Sequence, residues 1–492
     1  MRLFSRSCLG LLTLATPLVA QDAPKEEKEA PRELRDWTDT RRSATNLNVE
    51  TIRGLAHDAT SGALFALNTH GSQLLRFDGA ASAPASGGAI APQAIFRTLN
   101  NPCALALWED ADEREYAIVV GGSTHGVALQ DRNTGEIVSY IGWPSEAITA
   151  DPDPSDAPDP SEPMDIVVDV ERKRAFVSCA GAYDVATPSG VRSGGAVVEI
   201  DLENFDPSAV VVHFIDAARP TFLSFAQNGP GPLDNEVYVA PFLSGNQTTF
   251  ALDGYADGTV ATMAELPDDD LFAIDAQGNV SAKYQGLGTL LTAHGVNPFD
   301  ETLWMAGVDL FNANASTEPE HRGDFANNRL VIVNDPPGGP LTVDPVDLDT
   351  VGFPSQPASA DKPASFPFGL AFHSSGHAFV SGSTSDVVRE LDADGNTVRS
   401  VGLPEGAIPR SLLIDAAETY LYVQAWGTNQ VLRYELASWM SSPSAAVSAT
   451  AFDLGPDPQP LAVQRGRELW YDADNSAVPG GSMIAKVSCP IG

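Results

Sequence analysis

Residues 408–436 read IPRSLLIDAAETYLYVQAWGTNQVLRYEL, and residues 367–398 read PFGLAFHSSGHAFVSGSTSDVVRELDADGNTV. Both pass through one succession: a short apolar strand entered through Pro, a turn, a strand of β-branched and aromatic residues, a Gly/Ser/Asn-rich loop, and a third strand. Pro suits the opening position because it has no N–H to give to a ladder. In Asp392-Ala-Asp-Gly-Asn396 the Gly stands where a hairpin needs a positive φ, and Asp275-Ala-Gln-Gly-Asn279 repeats the pattern. Neither stretch has a helical period.

The same unit recurs upstream. It is found at 53–78, at 102–130 (PCALALWEDADEREYAIVVGGSTHGVALQ), and at 163–201 with an insert. A fourth copy uses 219–225, 236–246 and 271–280, and a fifth uses 301–313 and 327–335. One such sheet cannot bury both faces, whereas radial stacking covers each blade with its neighbours and closure removes the end sheets. Seven units at a spacing of about 40–60 residues predict an all-β fold, a seven-bladed β-propeller with four-stranded antiparallel blades over 36–455. Candidates for the strand that closes the ring are the segment around 40–50 and Ala449–Leu454.

The pattern of Pro-x-x-Leu-Ala on the inner strand, Tyr-Val-x-x-Gly/Asn on the next and x-Val-x-x-Ile-Asp on the third resembles bacterial YVTN-type propeller repeats. The resemblance covers roughly 50–440 and is carried best by the sixth and seventh units. It implies the fold and says little about activity, since this scaffold hosts many.

Composition narrows the function classes. The 492 residues carry 29 Lys+Arg against 65 Asp+Glu, a formal net charge of −36. So acidic a chain repels phosphate, which argues against a nucleic-acid binder. An apolar fraction of 43% is that of a globular protein. Only 6 of the basic residues are Lys, which with the acidic excess suits a salty or extracellular setting.

Residues 1–20 read as a secretory signal: Arg2 and Arg6, an apolar run from Leu9 to Leu18, and Ala20 before Gln21. The run is too short for a membrane span, and no other stretch approaches one. Cys8 lacks an apolar lipobox before it. The protein is expected to be exported, periplasmic or extracellular. Losing Arg2 and Arg6 takes the basic count from 29 to 27 against 65 acids, a net −38. Residues 21–35 (QDAPKEEKEAPRELR) read as a disordered charged linker. Cys103, Cys179 and Cys489 remain, so at least one thiol is free. Cys103 and Cys179 fall in neighbouring repeats, where a disulfide or two buried small residues both fit, the second being the ordinary outcome.

In propellers the loops between second and third strands share a face with the blade connections, and they converge on the channel mouth. Position alone nominates His70, His125, Tyr183, Asp184, Asn246, Asp309, Asn312, Asp386, Trp426 and Asn429 as ligand-binding. The inserts at about 185–194, 247–269 and 313–326 and the Asp/Pro tract 151–163 lie on this face too. His70 and His125 recur inside Thr-His-Gly and would suit a transition metal beside Asp309 or Asp184, but no third ligand is fixed by spacing. The Asp392–Asn396 turn lacks the downstream Glu of a calcium loop, and calcium at 151–163 is a weak expectation.

Enzyme motifs are missing. There is no G-x-S-x-G, no phosphate cradle and no H-E-x-x-H, so no catalytic residue is predicted. Asn246, Asp309 and Asn429 could imitate the metal site of gluconolactonase-like propellers, although the repeats look unlike that group.

The tail, 456–492, has helical spacing from Ala462 to Tyr471. Arg465-Gly-Arg-Glu-Leu-Trp-Tyr-Asp472-Ala is similar to the opening of the cytochrome c peroxidase-like domain that follows many YVTN-type propellers. That resemblance implies a Cys-x-x-Cys-His further on. Here Lys486 stands at the first Cys position, Cys489 at the second and Pro490 at the axial one, so covalent haem is not expected and no cofactor is predicted. A vestigial haem domain, a broken reading frame and an ordinary helix are the three explanations. The sequence thus reads as an exported binding or scaffold propeller that meets a protein or small-molecule ligand at the mouth. The alternatives are an electron-transfer component working with a separate cytochrome c, and a metal-dependent lactonase-like hydrolase.

Overall fold

The computed structural model describes residues 51–471 except 81–87, 123, 125, 143–160, 188–189, 218, 227–235, 243, 245–268, 311–325, 335–340, 350–362 and 442–446. These residues form seven four-stranded antiparallel sheets, each from strands consecutive in sequence. The blades span 55–97, 102–142, 161–215, 220–284, 290–347, 367–402 and 409–453. The expected seven-bladed propeller is the fold.

The opening Pro residues act where the chain enters five of the inner strands. Asn101, Glu162, Arg219, Phe366 and Ile408, which precede Pro102, Pro163, Pro220, Pro367 and Pro409, all take a left-handed φ of 45–56°. Strand register slips just inside the entrance, between Pro102 and Ala104, Pro220 and Phe222, Pro367 and Leu370, and Pro409 and Leu412. A residue in a sparsely populated region followed by a bulge turns the chain sharply from the rim to the axis. The fifth inner strand, Leu290–Val296, has no opening Pro, and the sequence reading passed over it.

The core lies in the seams. One buried cluster joins Tyr238 and Leu271 of blade four to Leu290, Met305 and Val331 of blade five and Phe366 and Phe368 near the sixth inner strand. Cys103 and Cys179 are both free and buried in the seam of blades two and three, as ordinary small core residues. Burial pushes the Cys103 thiol up to about 12 and raises Cys179 as well.

Among the described residues no strand is shared between the first and last blades. Thr450–Asp453 is the fourth strand of the seventh blade, and 40–50 lies outside the described residues. Blades one and seven are joined instead by hydrogen bonds. Gly54 N donates to Ser411 Oγ at 3.1 Å, Gln424 Nε2 to Leu67 O at 3.1 Å, and Asn68 Nδ2 to Leu454 O at 2.8 Å. At the rim Ile90 forms a parallel bridge with Phe452, and Arg433 donates to Ala80 O. Gly54 leaves room here for the amide of Gln424, which a Cβ would displace.

Two helices occur among the described residues. Helix α1, Leu436–Met440, sits between the third and fourth strands of blade seven and was not foreseen. Its Trp439 is fully buried and donates from Nε1 to Glu390 Oε2 at 2.9 Å. Helix α2, Leu461–Tyr471, falls where the tail's spacing predicted one. No helix among the described residues is long and apolar enough to cross a membrane.

Candidate functional site

Of the ten nominated residues, His125, Asn246 and Asn312 lie outside the described residues. Tyr183 and Asp184 are not in a loop: the second strand of blade three runs on to Thr187 and pairs them with Gly194 and Ser193. The extra length comes from a ladder that continues past the blade, in a stretch read as loop and insert.

Three more are engaged by other parts of the frame. Asp309 is buried, accepts from Thr289 Oγ1 at 3.1 Å, and pairs with buried Arg329 at 3.0 Å. Asp386 accepts from Gly406 N at 2.7 Å and Ile408 N at 2.8 Å, so it fixes the linker into blade seven. Asn429 Nδ2 donates to Gly455 O at 2.6 Å. Asp309 lies inside the strand Leu303–Leu310, whereas Asp386 and Asn429 stand where a loop must turn with its carbonyls and amides answered.

The remaining two, His70 and Trp426, come together, with ring centroids 4.8 Å apart. They meet because their loops are neighbours across the closing seam. Helix α2 covers them. Arg467 Nη1 donates to His70 Nε2 at 2.6 Å, its Nη2 pairs with Asp457, and its guanidinium stacks on Trp426 at 4.9 Å. Tyr471 meets Trp426 edge-on at 5.9 Å. Beneath them the buried Arg410 guanidinium lies 4.2 Å from the Phe368 ring, 5.4 Å from Trp426 and 5.1 Å from Tyr471. Burial and the Arg467 charge hold His70 down at about 4. A guanidinium only donates, so His70 must be the neutral acceptor. At this part of the expected mouth the structure has a docked helix.

The open space lies along the axis. A channel cavity of about 670 Å³ is lined by inner-strand residues from all seven blades. Its walls include Leu105–Leu107 of Pro102–Glu109, Ile166–Val168 of Ser161–Asp169 and Ala293–Val296 of Leu290–Val296. Inner strands begin at the mouth, so these later residues place the cavity toward the opposite end from α2.

Its polar groups converge from blades three, four and five and from Arg53 at the entrance to blade one. Arg53 Nε and Nη2 donate to the two Asp165 oxygens at 3.0 and 3.1 Å, and Nη2 also donates to Leu223 O at 2.7 Å. Asp165 further accepts from Leu223 N at 2.9 Å and Ile166 N at 2.8 Å. The Arg53 side chain is 40% exposed and that of Asp165 is 1% exposed, so the channel meets the cation. Ser224 Oγ lies 2.7 Å from His294 Nδ1, and His294 Nε2 lies 3.0 Å from Phe222 O. Burial holds His294 down at about 4, with Arg53 pushing the same way and Asp165 opposing. None of these residues was nominated from sequence. They are far apart in the chain and match no linear motif; the one hint was polar residues interrupting otherwise apolar inner strands. No group of three or more His, Cys, Asp or Glu among the described residues could hold a metal.

No family model matches the sequence, and no curated protein matches it. Solved structures match at the level of the fold. Hydrazine synthase of Kuenenia stuttgartiensis is similar at a TM-score of 0.55 and 14% identity, over 80% of this chain and 98% of that one. Virginiamycin B lyase from Staphylococcus aureus gives 0.39 and 12% identity over 77% and 92%, and the Myceliophteria thermophila Cps50 (Swd1) propeller domain gives 0.44 and 10% over 75% and 92%. The likeness to hydrazine synthase bears on the fold alone.

Proposed function

We propose that the protein is an exported propeller of the YVTN-type kind that binds a small organic molecule in its central channel. The observation that carries this is the 670 Å³ cavity with the Arg53 cation exposed in it. That volume is in the range of small-molecule sites, and the wall combines apolar inner-strand side chains with a larger share of polar surface. A ligand with a carboxylate, sulfonate or ester carbonyl satisfies Arg53, and its apolar body lies along Leu107, Val168 and Leu370.

The probe is 8-anilinonaphthalene-1-sulfonate, an anionic aromatic. Wild type is expected to bind one equivalent with enhanced fluorescence. Arg53→Gln alone would leave Asp165 buried without its partner, so the test variant is Arg53→Gln with Asp165→Asn. Loss of the single site in that folded variant supports the reading. No stoichiometric binding by wild type, or equal binding by the variant, overturns it.

A further inference from the structure

Hydroxyls at several blade seams have a uniform use. Ser178 Oγ donates to Thr221 O at 2.7 Å, Ser381 Oγ to Arg410 O at 3.2 Å, and Thr292 Oγ1 to Pro367 O. All three are fully buried and give their proton to a backbone carbonyl. Ser224 departs from this on both counts. It is half-buried and lines the channel cavity, and its partner is an imidazole nitrogen.

The tautomer follows from the second bond. Phe222 O can only accept, so His294 Nε2 carries the hydrogen. Nδ1 therefore holds a lone pair, and Ser224 O–H donates into it. A hydroxyl bonded to a base whose far nitrogen is fixed by a third group is the arrangement that activates a serine. Arg53 lines the same cavity, is anchored to the Leu223 carbonyl next to Ser224, and has an Nη1 with no hydrogen bond among the described residues. It brings positive charge into the cavity that Ser224 lines, the sign an oxyanion needs.

We propose that Ser224 and His294 form a nucleophile–base pair that takes the acyl group of a small carboxylic ester admitted to the channel. Ser224 Oγ bonds to the ester carbonyl carbon as its proton passes to His294 Nδ1, and the carbonyl oxygen becomes the oxyanion. The carbon–alkoxide bond then breaks, and the leaving alcohol takes the proton from Nδ1. Water attacks the acyl-serine, gives a proton to Nδ1, and the acid departs as that proton returns to Ser224. No oxidant, reductant or metal is needed.

This inference rests on the channel-ligand reading, and the test separates the two. The full chain is treated with diisopropyl fluorophosphate and, separately, with p-nitrophenyl acetate. One covalent adduct mapped to Ser224 by mass spectrometry is expected, with a burst of one p-nitrophenolate per chain. Ser224→Ala should abolish both. His294→Gln should slow labelling by roughly 10²–10⁴-fold, the usual contribution of a general base. The labelling rate of wild type should stay flat from pH 8 to 5 and fall with a midpoint near 4, where His294 takes its proton. No adduct, an adduct elsewhere, or equal rates in Ser224→Ala overturns the proposal, and makes the pair a seam clamp. If the sulfonate probe still binds the channel in that case, the binding reading survives alone.

Discussion

His294 is buried at a blade seam as the neutral imidazole, and this makes stability depend on pH in a calculable way. Its affinity for a proton is lowered from the ordinary 6.5 to about 4, chiefly by burial. The unfolded chain binds that proton first as the pH falls. The stabilisation is thus complete above 6.5 and is lost progressively between 6.5 and 4. At about 1.4 kcal/mol per decade of proton affinity, the full loss is about 3 kcal/mol, of which about 2 kcal/mol appears between pH 7.5 and 5. That window lies above the titration of ordinary carboxylates. Urea unfolding at the two pH values, for wild type and His294→Gln, reads it directly. Gln keeps a donor for Phe222 O and an acceptor for Ser224 but cannot take the proton. The variant should lose about 2 kcal/mol of the pH dependence while holding most of its stability at pH 7.5. In wild type labelled at His Cε1, the resonance missing from the variant should report a neutral ring at pH 5. An unchanged pH slope in His294→Gln, or a ring titrating near 6.5, would refute the reasoning.

The other predictions address separate parts of the molecule. Arg467→Ala should free α2, since it removes the ion pair to Asp457 and the contacts to His70 and Trp426; hydrogen exchange over 461–471 should rise in step with a change in Trp fluorescence. Acid should do the same in wild type as His70 protonates near 4 and repels Arg467. Gly54→Ala pushes Gln424 off Leu67 O at the closing seam and should destabilise by about 1–3 kcal/mol, read as a lower Tm. Cys103 and Cys179, with raised thiol affinities and full burial, should resist iodoacetamide at pH 8 in the native protein and react in urea. Expressed in a secretion-competent bacterium, the chain should begin at Gln21 on N-terminal sequencing, and retention of Met1 would overturn the signal assignment.

The fold was legible because each blade repeats strong local signals. Pro409, Gly395 and the β-branched runs of the sixth and seventh units each dictate structure within a few residues. Leu290–Val296 escaped notice because it lacks the Pro and carries Thr292, His294 and Gly295, which interrupt the apolar run. Those same interruptions serve the seam and the channel. The candidate site was not legible, for a different reason. Ser224 and His294 are 70 residues apart, and Arg53 and Asp165 are 112 apart. Only the packing of inner strands around the axis brings them together. Loop position nominated His70 and Trp426 together, yet Asp309, Asp386 and Asn429 turned out to be bound to their own frame. Polar loop residues in a tight turn serve the backbone before anything else.

The scarcity of Lys takes on a structural cause. Arg329, Arg389, Arg399 and Arg410 are among the largest fully buried side chains. Arg329 reaches Asp309 at 3.0 Å and Gly286 O at 3.1 Å, and Arg389 reaches Leu348 O at 3.0 Å and Ser400 Oγ at 3.2 Å. Both carbonyls belong to the linker entering the same blade, and both arginines stand on a third strand. Arg433, on the third strand of blade seven, reaches Ala80 O of blade one and Thr450 Oγ1. Each side chain answers two acceptors in different directions from within the core. A planar fork of five donors can do that with little further ordering, whereas an ammonium is a compact, strongly hydrated charge on a flexible stem. Replacing these arginines with Lys would leave acceptors unanswered at the seams, so the bias toward Arg follows from how this ring is held together. It also removes cations from the surface. The acid excess is therefore carried by the exterior to a greater degree than the net charge of −36 conveys, and the lone exposed cation in the channel stands out against it.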